Sequence, residues 1–243
     1  MTGATVRLAE LIEKIAEQPM SVAELAADFD VHRSSMFRQL KSLEQVGYVR
    51  RRDDTRYVVG AKLIALARLS FDDVDLRRAG YHHVRKLHAK IGHTIQLVAL
   101  IGDSLIYVDK VESASGVGMY SRIGREAPAY CSGVGKVILA ALDPYRRDAI
   151  LDSTPWKQFT PNTFTTRAQL DAALDLATER GWAVDDRELD MIINCLAVPI
   201  SSHPGIVGAV SVTAVSSVED ITSLMKYLPL LQETAGAIED ELR

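Results

Sequence analysis

Three consecutive stretches decide the reading of the first quarter of the chain: Ser21-Val-Ala-Glu-Leu-Ala-Ala-Asp28, then His32-Arg-Ser-Ser-Met-Phe-Arg-Gln-Leu-Lys-Ser-Leu43, then Tyr48-Val-Arg-Arg-Arg-Asp-Asp-Thr-Arg-Tyr-Val-Val59. Ser21 with Glu24 three residues on is a capping box, so a helix starts there. Val22, Leu25 and Ala26 form its inward side. In the second stretch Met36, Leu40 and Leu43 recur at i, i+4 and i+7, one buried stripe of a helix. The opposite face carries Arg33, Ser34, Ser35, Phe37, Arg38 and Lys41. Gly47 ends that helix as a C-cap glycine. Tyr48–Arg51 and Arg56–Val59 read as strands around Asp53-Asp54, a pair suited to a turn. An acidic helix, a tight turn, a basic helix and an arginine-rich hairpin make a winged helix-turn-helix, which presents a helix to the major groove of duplex DNA.

On this reading Arg33, Arg38 and Lys41 reach phosphates or guanine edges, Ser34 and Ser35 donate to phosphate, and Phe37 touches a thymine methyl. Arg50, Arg51, Arg52 and Arg56 are the wing's candidates for phosphate or minor-groove contact. A solvated polar face is the alternative for the set, and packing against the first helix is the alternative for Phe37.

The charge distribution supports the first reading. The formal net charge is −4, yet Val31–Val58 holds seven basic residues against three acids, leaving +4 there and −8 elsewhere. A basic face on an acidic body suits a small DNA-binding domain joined to a separate one. With 243 residues, 47% hydrophobic and 25% charged, the chain is long enough for one large or two modest soluble domains. No run of about 18 apolar residues implies a membrane span, and the start lacks the form of a secretory signal. Two isolated cysteines, Cys131 and Cys195, suit a reducing cytosol. The expectation is a cytoplasmic protein.

Leu8, Leu11, Ile12, Ile15 and Ala16 predict an amphipathic first helix that stops before Pro19. Ala61–Ser70 reads as a linker helix and Asp75–Ile91 as a longer one. Thr94–Ile101 and Ser104–Val111 are β-rich runs around Gly102-Asp103, a hairpin cue. Helices are expected at Val134–Leu142 and Thr166–Arg180, strands at Cys195–Ile200 and Ile206–Ala214 around the turn Ser202–Gly205. A last helix is expected over Val218–Leu242, with Pro229 a kink or break. The order is that of an α+β protein: an N-terminal winged helix-turn-helix with a β wing over residues 1–60, a linker helix over 61–73, and an antiparallel sheet flanked by helices over 74–243.

Several motifs invite chemistry. Ser132-Gly-Val-Gly-Lys136 is not a phosphate loop, since Tyr130 and Val137 stand where glycine and a hydroxyl residue are needed. Two readings of it stay open, an anion-binding helix start and a closely packed turn. His82, His83, His88 and His93 do not share one helix face, and the expectation is a solvated helix and no metal. Cys131 and Cys195 read as buried small hydrophobes, the nucleophile reading lacking a base placed by sequence. Asp185, Asp186, Glu188 and Asp190 read as an acidic loop, either bordering a pocket or supplying an acid/base pair. No catalytic set and no cofactor is expected, and the chain is read as no enzyme. An enzyme domain fused to a DNA-binding regulator is the competing reading.

The chain resembles the IclR-type family of bacterial transcription regulators over nearly its whole length. The resemblance rests on Ala23-Glu-Leu-Ala26, Ser34-Ser-Met-Phe-Arg-Gln-Leu40, Gly47-Tyr-Val49, Tyr57-Val-Val-Gly60, Ile123-Gly-Arg-Glu-Ala-Pro128, Gly135-Lys-Val-Ile-Leu-Ala140, Arg180-Gly-Trp-Ala-Val-Asp-Asp186, Cys195-Leu-Ala-Val-Pro-Ile200 and Gly208-Ala-Val-Ser-Val212. It implies a GAF-like effector domain after the winged helix, and a homodimer or dimer of dimers. It also implies a small metabolite, an organic or aromatic acid or sugar derivative, as effector of a repressor on an inverted-repeat operator. The family's pocket carries over to Tyr120, Ala127, Gly133, Val134, Asp185, Ile193, Cys195 and Ser211. Arg122 and Arg125 are either partners of a ligand carboxylate or surface residues. The chain departs from the family at Asp190-Met-Ile-Ile-Asn194 and Thr213-Ala-Val215, where relatives carry glycine.

Overall fold

The computed structural model describes residues 3–72, 74–114, 120–203 and 205–243. Two compact units divide the chain, Met1–Asp73 and Val74–Arg243. Asp73 at the end of the expected linker, and Pro204 in the expected turn, lie outside the described residues.

In the first unit α1 (Ala4–Glu17) turns Leu11 and Ile15 into a core shared with Leu25, Met36, Leu40 and Tyr57. The capping box that starts α2 (Val22–Asp28) is complete, Ser21 N donating to Glu24 Oε2 at 2.7 Å and Glu24 N to Ser21 Oγ at 3.3 Å. Asp30 takes φ +48° and turns the chain into α3 (Arg33–Gln45), a conformation that short polar side chains tolerate. Gly47 at φ +79° stops α3, with Tyr48 N bonded back to Leu43 O at 2.9 Å. The wing is β1 (Val49–Arg51) paired antiparallel with β2 (Tyr57–Val59). Thr55 N donates to Arg52 O at 3.0 Å and Arg52 N to Arg56 O at 2.8 Å, so Asp53, Asp54 and Thr55 form the loop, with Thr55 at φ +66°. Met20 pairs with Tyr57 on the other edge of β2, a bridge the sequence reading lacks. It anchors the wing root to the start of α2. The unit ends in α4 (Ala61–Asp72).

The second unit runs α5 (Asp75–Ile91), β3 (Thr94–Ile101), β4 (Ser104–Val111), α6 (Gly133–Ala141), α7 (Pro144–Ser153), α8 (Arg167–Arg180), β5 (Ala183–Asp186), β6 (Ile193–Ser202), β7 (Gly205–Val215), α9 (Ile221–Leu224) and α10 (Leu228–Glu241). Its sheet is antiparallel throughout, in the order β4-β3-β7-β6-β5. Strand alternation sorts the two faces. Val98, Ala197 and Ala209 pack with α6 and, behind it, α8. Neighbouring positions such as Leu97 face the other way, toward α5 and α10.

The structure differs from expectation in three places. Asp185-Asp186, read as loop, are the end of the edge strand β5, paired with Cys195 and Asn194. Helix α7 was not foreseen, although Asp143 caps it by accepting from Arg146 N at 3.0 Å and Pro144 fills its first turn. The C-terminal segment is not one helix: α9 passes through a 3₁₀ turn, Met225–Tyr227, before α10, which has Pro229 in its first turn. The break, one of the two outcomes expected of Pro229, is what stands, and the proline starts the following helix. Among the described residues no helix is long and apolar enough to cross a membrane.

Candidate functional site

The first unit presents one face of α3 and the wing. Met36, Leu40 and Leu43 are buried, while Arg33, Ser34, Phe37, Arg38 and Lys41 are exposed and Ser35 is half-buried. Phe37 is 41% exposed, so it does not serve as a core residue. The cations are not equivalent. Arg33, Arg38 and Arg50 have no carboxylate partner among the described residues, whereas the Arg51 charge acts on the Glu44 carboxylate. Lys41 Nζ lies 2.7 Å from Glu44 Oε2, and that hydrogen bond raises its pKa. Glu44 also accepts from Arg51 N at 3.3 Å, tying the end of α3 to the wing. Arg52 stands 3.9 Å from Asp54 at the wing tip. Arg56 is spent inside the unit: it donates to Pro19 O at 3.2 Å and to Glu24 Oε1 at 3.3 Å. Three arginines, Arg33, Arg38 and Arg50, are thus left with their charge uncompensated on an exposed surface, which suits a polyanion.

The second unit holds a small cavity of ≈ 30 Å³ between the start of α6 and the sheet, its apolar walls carrying several polar groups. Five of the residues carried over from the family line it: Tyr120, Val134, Asp185, Ile193 and Cys195. Ala127 instead lines an adjoining, more open cavity of ≈ 420 Å³ that shares Tyr120. Gly133 backs onto the site, its α-carbon side facing Cys195 Sγ and Ala197 Cβ. Ser211 is one step removed and donates to Gln96 Oε1 at 3.1 Å. Arg122 and Arg125 do not line the cavity; Arg125 stacks on the Tyr120 ring at 3.6 Å.

Sequence reasoning missed Gln96, Tyr107, Ser121 and Thr213, which complete the polar lining. Gln96 Nε2 donates to Ser121 Oγ at 2.7 Å, and Gln96 Oε1 accepts from Thr213 Oγ1 at 3.3 Å. Its signal was present as the lone polar residue inside the apolar run Ile95-Gln-Leu-Val-Ala99. The same signal marks Lys136 in Val134-Gly-Lys-Val-Ile-Leu139. Lys136 is buried and ion-paired with buried Glu188, which joins α6 to the turn after β5. That turn is set by Asp185, whose Oδ1 accepts from Glu188 N at 2.7 Å and Leu189 N at 3.3 Å, with Arg187 at φ +56°.

Helix α6 begins against the cavity because Ser132 caps it, accepting from Gly135 N at 3.0 Å and donating to Pro128 O at 2.7 Å. A Cβ at Gly135 would fall on the backbone of Ala129. Gly135→Ala is therefore expected to cost about 3 kcal/mol or more. A thermal melt of the full chain with an unchanged midpoint would contradict it.

Burial raises Asp185 most, with the Glu188 charge next, to a pKa of about 7. A carboxyl raised in the fold adds stability that is complete below its unfolded value near 3.8 and lost as pH rises through about 7. Relative to Asp185→Asn, the wild type should thus lose a few kcal/mol on going from about pH 4 to pH 8. Parallel stability–pH curves for the two proteins would remove the assignment. Burial also pushes the Cys195 thiol up to about 12 and the Cys131 thiol well above its ordinary value. Neither forms a thiolate near neutrality, so the buried-hydrophobe reading stands and the nucleophile reading does not.

His82 is exposed as expected, while the other three histidines are held singly rather than solvated. His83 Nε2 is 2.7 Å from Glu241, His88 Nδ1 is 2.8 Å from His93 O, and His93 Nε2 is 3.5 Å from Glu219. Among the described residues no group of His, Cys, Asp and Glu could hold a metal ion.

A winged helix with uncompensated arginines, followed by an α+β unit with a cavity, defines a transcription regulator with a DNA-binding and an effector domain. Comparison with known proteins agrees. Residues 69–240 match the family model described as bacterial transcriptional regulator IclR C-terminal, and residues 4–53 match the IclR helix-turn-helix domain. The chain belongs to the IclR family. It is similar to the HTH-type transcriptional regulator KdgR of Dickeya chrysanthemi, 31% identical over 230 residues that cover 93% of this chain and 75% of that one. The crystal structure of the Thermotoga maritima IclR superposes with a TM-score of 0.78 at 31% identity, covering 98% of each chain. An IclR homolog from Microbacterium hydrocarbonoxydans, solved in complex with 4-hydroxybenzoate, shares the fold at a TM-score of 0.84 and 21% identity, covering 99% of each chain.

Proposed function

We propose that this protein is a cytoplasmic repressor that binds an inverted-repeat operator as a homodimer or dimer of dimers and responds to a small organic or aromatic acid. Residues 1–60 grip DNA, 61–73 link, and 74–243 bind effector and assemble the oligomer. The observation that carries the reading is the set of exposed arginines on α3 and the wing, Arg33, Arg38 and Arg50, left without a carboxylate partner among the described residues. A surface of that charge attracts phosphate, and α3 has the shape to enter a major groove. Two copies fit half-sites about one helical turn or a multiple apart. Ile64 and Leu69 of α4, each 65% exposed, favour contact with a second copy.

The adjoining cavity of ≈ 420 Å³, which shares Tyr120 with the small one, has the size a small ligand needs, and the Microbacterium homolog's 4-hydroxybenzoate makes an acid the first class to test. Occupancy would shift the protein between states of different DNA affinity, by as much as the ligand distinguishes them.

The test combines two measurements on the full chain. Duplex from the region flanking its own gene should bind with an affinity that falls steeply with salt, as phosphate contacts require. In a thermal-shift screen, at least one organic or aromatic acid should raise the melting temperature and change that affinity. Absence of salt-dependent DNA binding would sink the regulator reading; a screen positive only for non-acids would replace the ligand class.

A further inference from the structure

In the second unit one buried ammonium group faces two buried carboxyl groups. Asp185 and Glu188 are 3% and 5% exposed, and Lys136 is 3% exposed. Lys136 Nζ bonds to Glu188 Oε1; toward Asp185 it acts only through space. The other titratable groups facing Asp185 do not help. The Cys195 thiol on β6, the Cys131 thiol before α6 and the Tyr107 phenol on β4 are neutral. Asp190, also at the cavity wall, is another acid. Arg187 pairs outward with Asp186 at 2.9 Å. Two negative charges and one positive, taken out of water together, leave one charge uncompensated, and a buried carboxyl in that position keeps its proton. Glu188 has the ammonium as its direct partner, so the proton falls to Asp185.

We propose that Asp185 stands as a protonated carboxyl group, a hydrogen-bond donor to the cavity, so that the cavity selects an acceptor group and an anionic ligand binds together with that proton. The surroundings point the same way. Ser121 Oγ accepts from Gln96 and has its own hydrogen to give. Tyr107 Oη, on a side chain 3% exposed, has no partner among the described residues. Ser121 and Tyr107 thus bring O–H groups beside Asp185 to a cavity of ≈ 30 Å³, about the volume of one water molecule and so room for the head of an acid rather than its body. The rise of the Asp185 pKa to about 7 agrees with this count. Only the last clause of the proposal rests on the acid-effector reading above; the protonation itself does not.

Infrared spectra of the full chain in D2O read the proton directly. The wild type should show a protonated-carboxyl C=O band at about pH 6 that fades by about pH 9 and is missing in Asp185→Asn. Glu188→Gln leaves Lys136 without its partner, so Asp185 becomes the counterion and the band should vanish at about pH 6 as well. No such band in the wild type overturns the proposal, and the wild-type measurement alone decides this if a variant does not fold. Affinity for 4-hydroxybenzoate and for acetate should fall about tenfold per pH unit above the band's midpoint, and be flat in Asp185→Asn. Acid binding that ignores pH in the wild type overturns the linkage. The band without binding of either acid supports the protonated carboxyl and counts against the acid-effector reading instead.

Discussion

Arg38→Ala is expected to weaken binding to the protein's operator by about ten- to a hundredfold and to flatten the dependence of affinity on salt. Arg38 sits on α3 opposite buried Met36 and Leu40, exposed and without a carboxylate partner among the described residues. Its charge is therefore available to a phosphate or a guanine edge with no internal bond to break first. Arg51→Ala should act in the same direction from the wing, where the side chain is equally exposed. Two neighbours make internal controls. Lys41 already shares its charge with Glu44 at 2.7 Å, so Lys41→Ala should change affinity and salt slope less. Arg56 bonds to Pro19 O and Glu24 and holds the wing root to α2. Arg56→Ala should thus loosen the wing and lower affinity while leaving the salt slope nearly intact, because a lost phosphate contact, and not a lost scaffold, changes the number of counterions released. Fluorescence anisotropy titrations at several salt concentrations separate these cases. Unchanged affinity and slope for both Arg38→Ala and Arg51→Ala would remove α3 and the wing as the DNA-contacting surface.

What the sequence made legible, and what it hid, follows the range of the interactions. Signals that act within a turn were readable: the Ser21–Glu24 box at α2, Gly47 after α3 and the Gly102-Asp103 hairpin all stand where their local chemistry placed them. Edge strand β5 escaped because it has only 4 residues and ends in two acids, so neither length nor apolar alternation marks it. Its strand character comes from pairing with β6, a tertiary fact. Helix α7 escaped for a related reason: its buried residues are Ile150 and Leu151 alone, too few for a visible stripe. The cavity was half legible. Positions carried over from the family placed Tyr120, Val134, Asp185, Ile193 and Cys195 at its wall. Gln96 and Tyr107 come from the β3–β4 hairpin, far from those motifs in sequence, and only the sheet order brings them there. Lys136 stood out only as a lone charge in an apolar run, and Glu188, 52 residues on, looked like an ordinary charged residue until their joint burial was seen.

Lys136→Ala is expected to be the most destabilising single change in the second unit, at about 3–5 kcal/mol, because it leaves the Glu188 carboxylate buried with no counter-charge. In a unit of this size that is on the order of 10 °C in melting temperature. The loss is larger than packing alone would give. Lys136 also covers the Phe164 ring at 4.8 Å, and that contact is the smaller part. A cycle separates the two contributions. Lys136→Met keeps most of the volume and removes the charge, Glu188→Leu removes the opposite charge, and the double variant removes both. Lys136→Met strands the Glu188 carboxyl and Glu188→Leu leaves Lys136 only Asp185 as counterion, whereas the double change removes both charges, so the double variant should recover most of the wild-type melting temperature. Its response to ligand should not recover. In the wild type the ion pair joins α6, which brings Val134 to the cavity, to the turn that Asp185 sets. An apolar pair restores packing without restoring the charge that governs the Asp185 proton. A double variant as unstable as the worse single variant would show that the pair contributes by its hydrogen-bonded geometry rather than by mutual neutralisation. Full stability with full ligand response would show that the cavity is built without it.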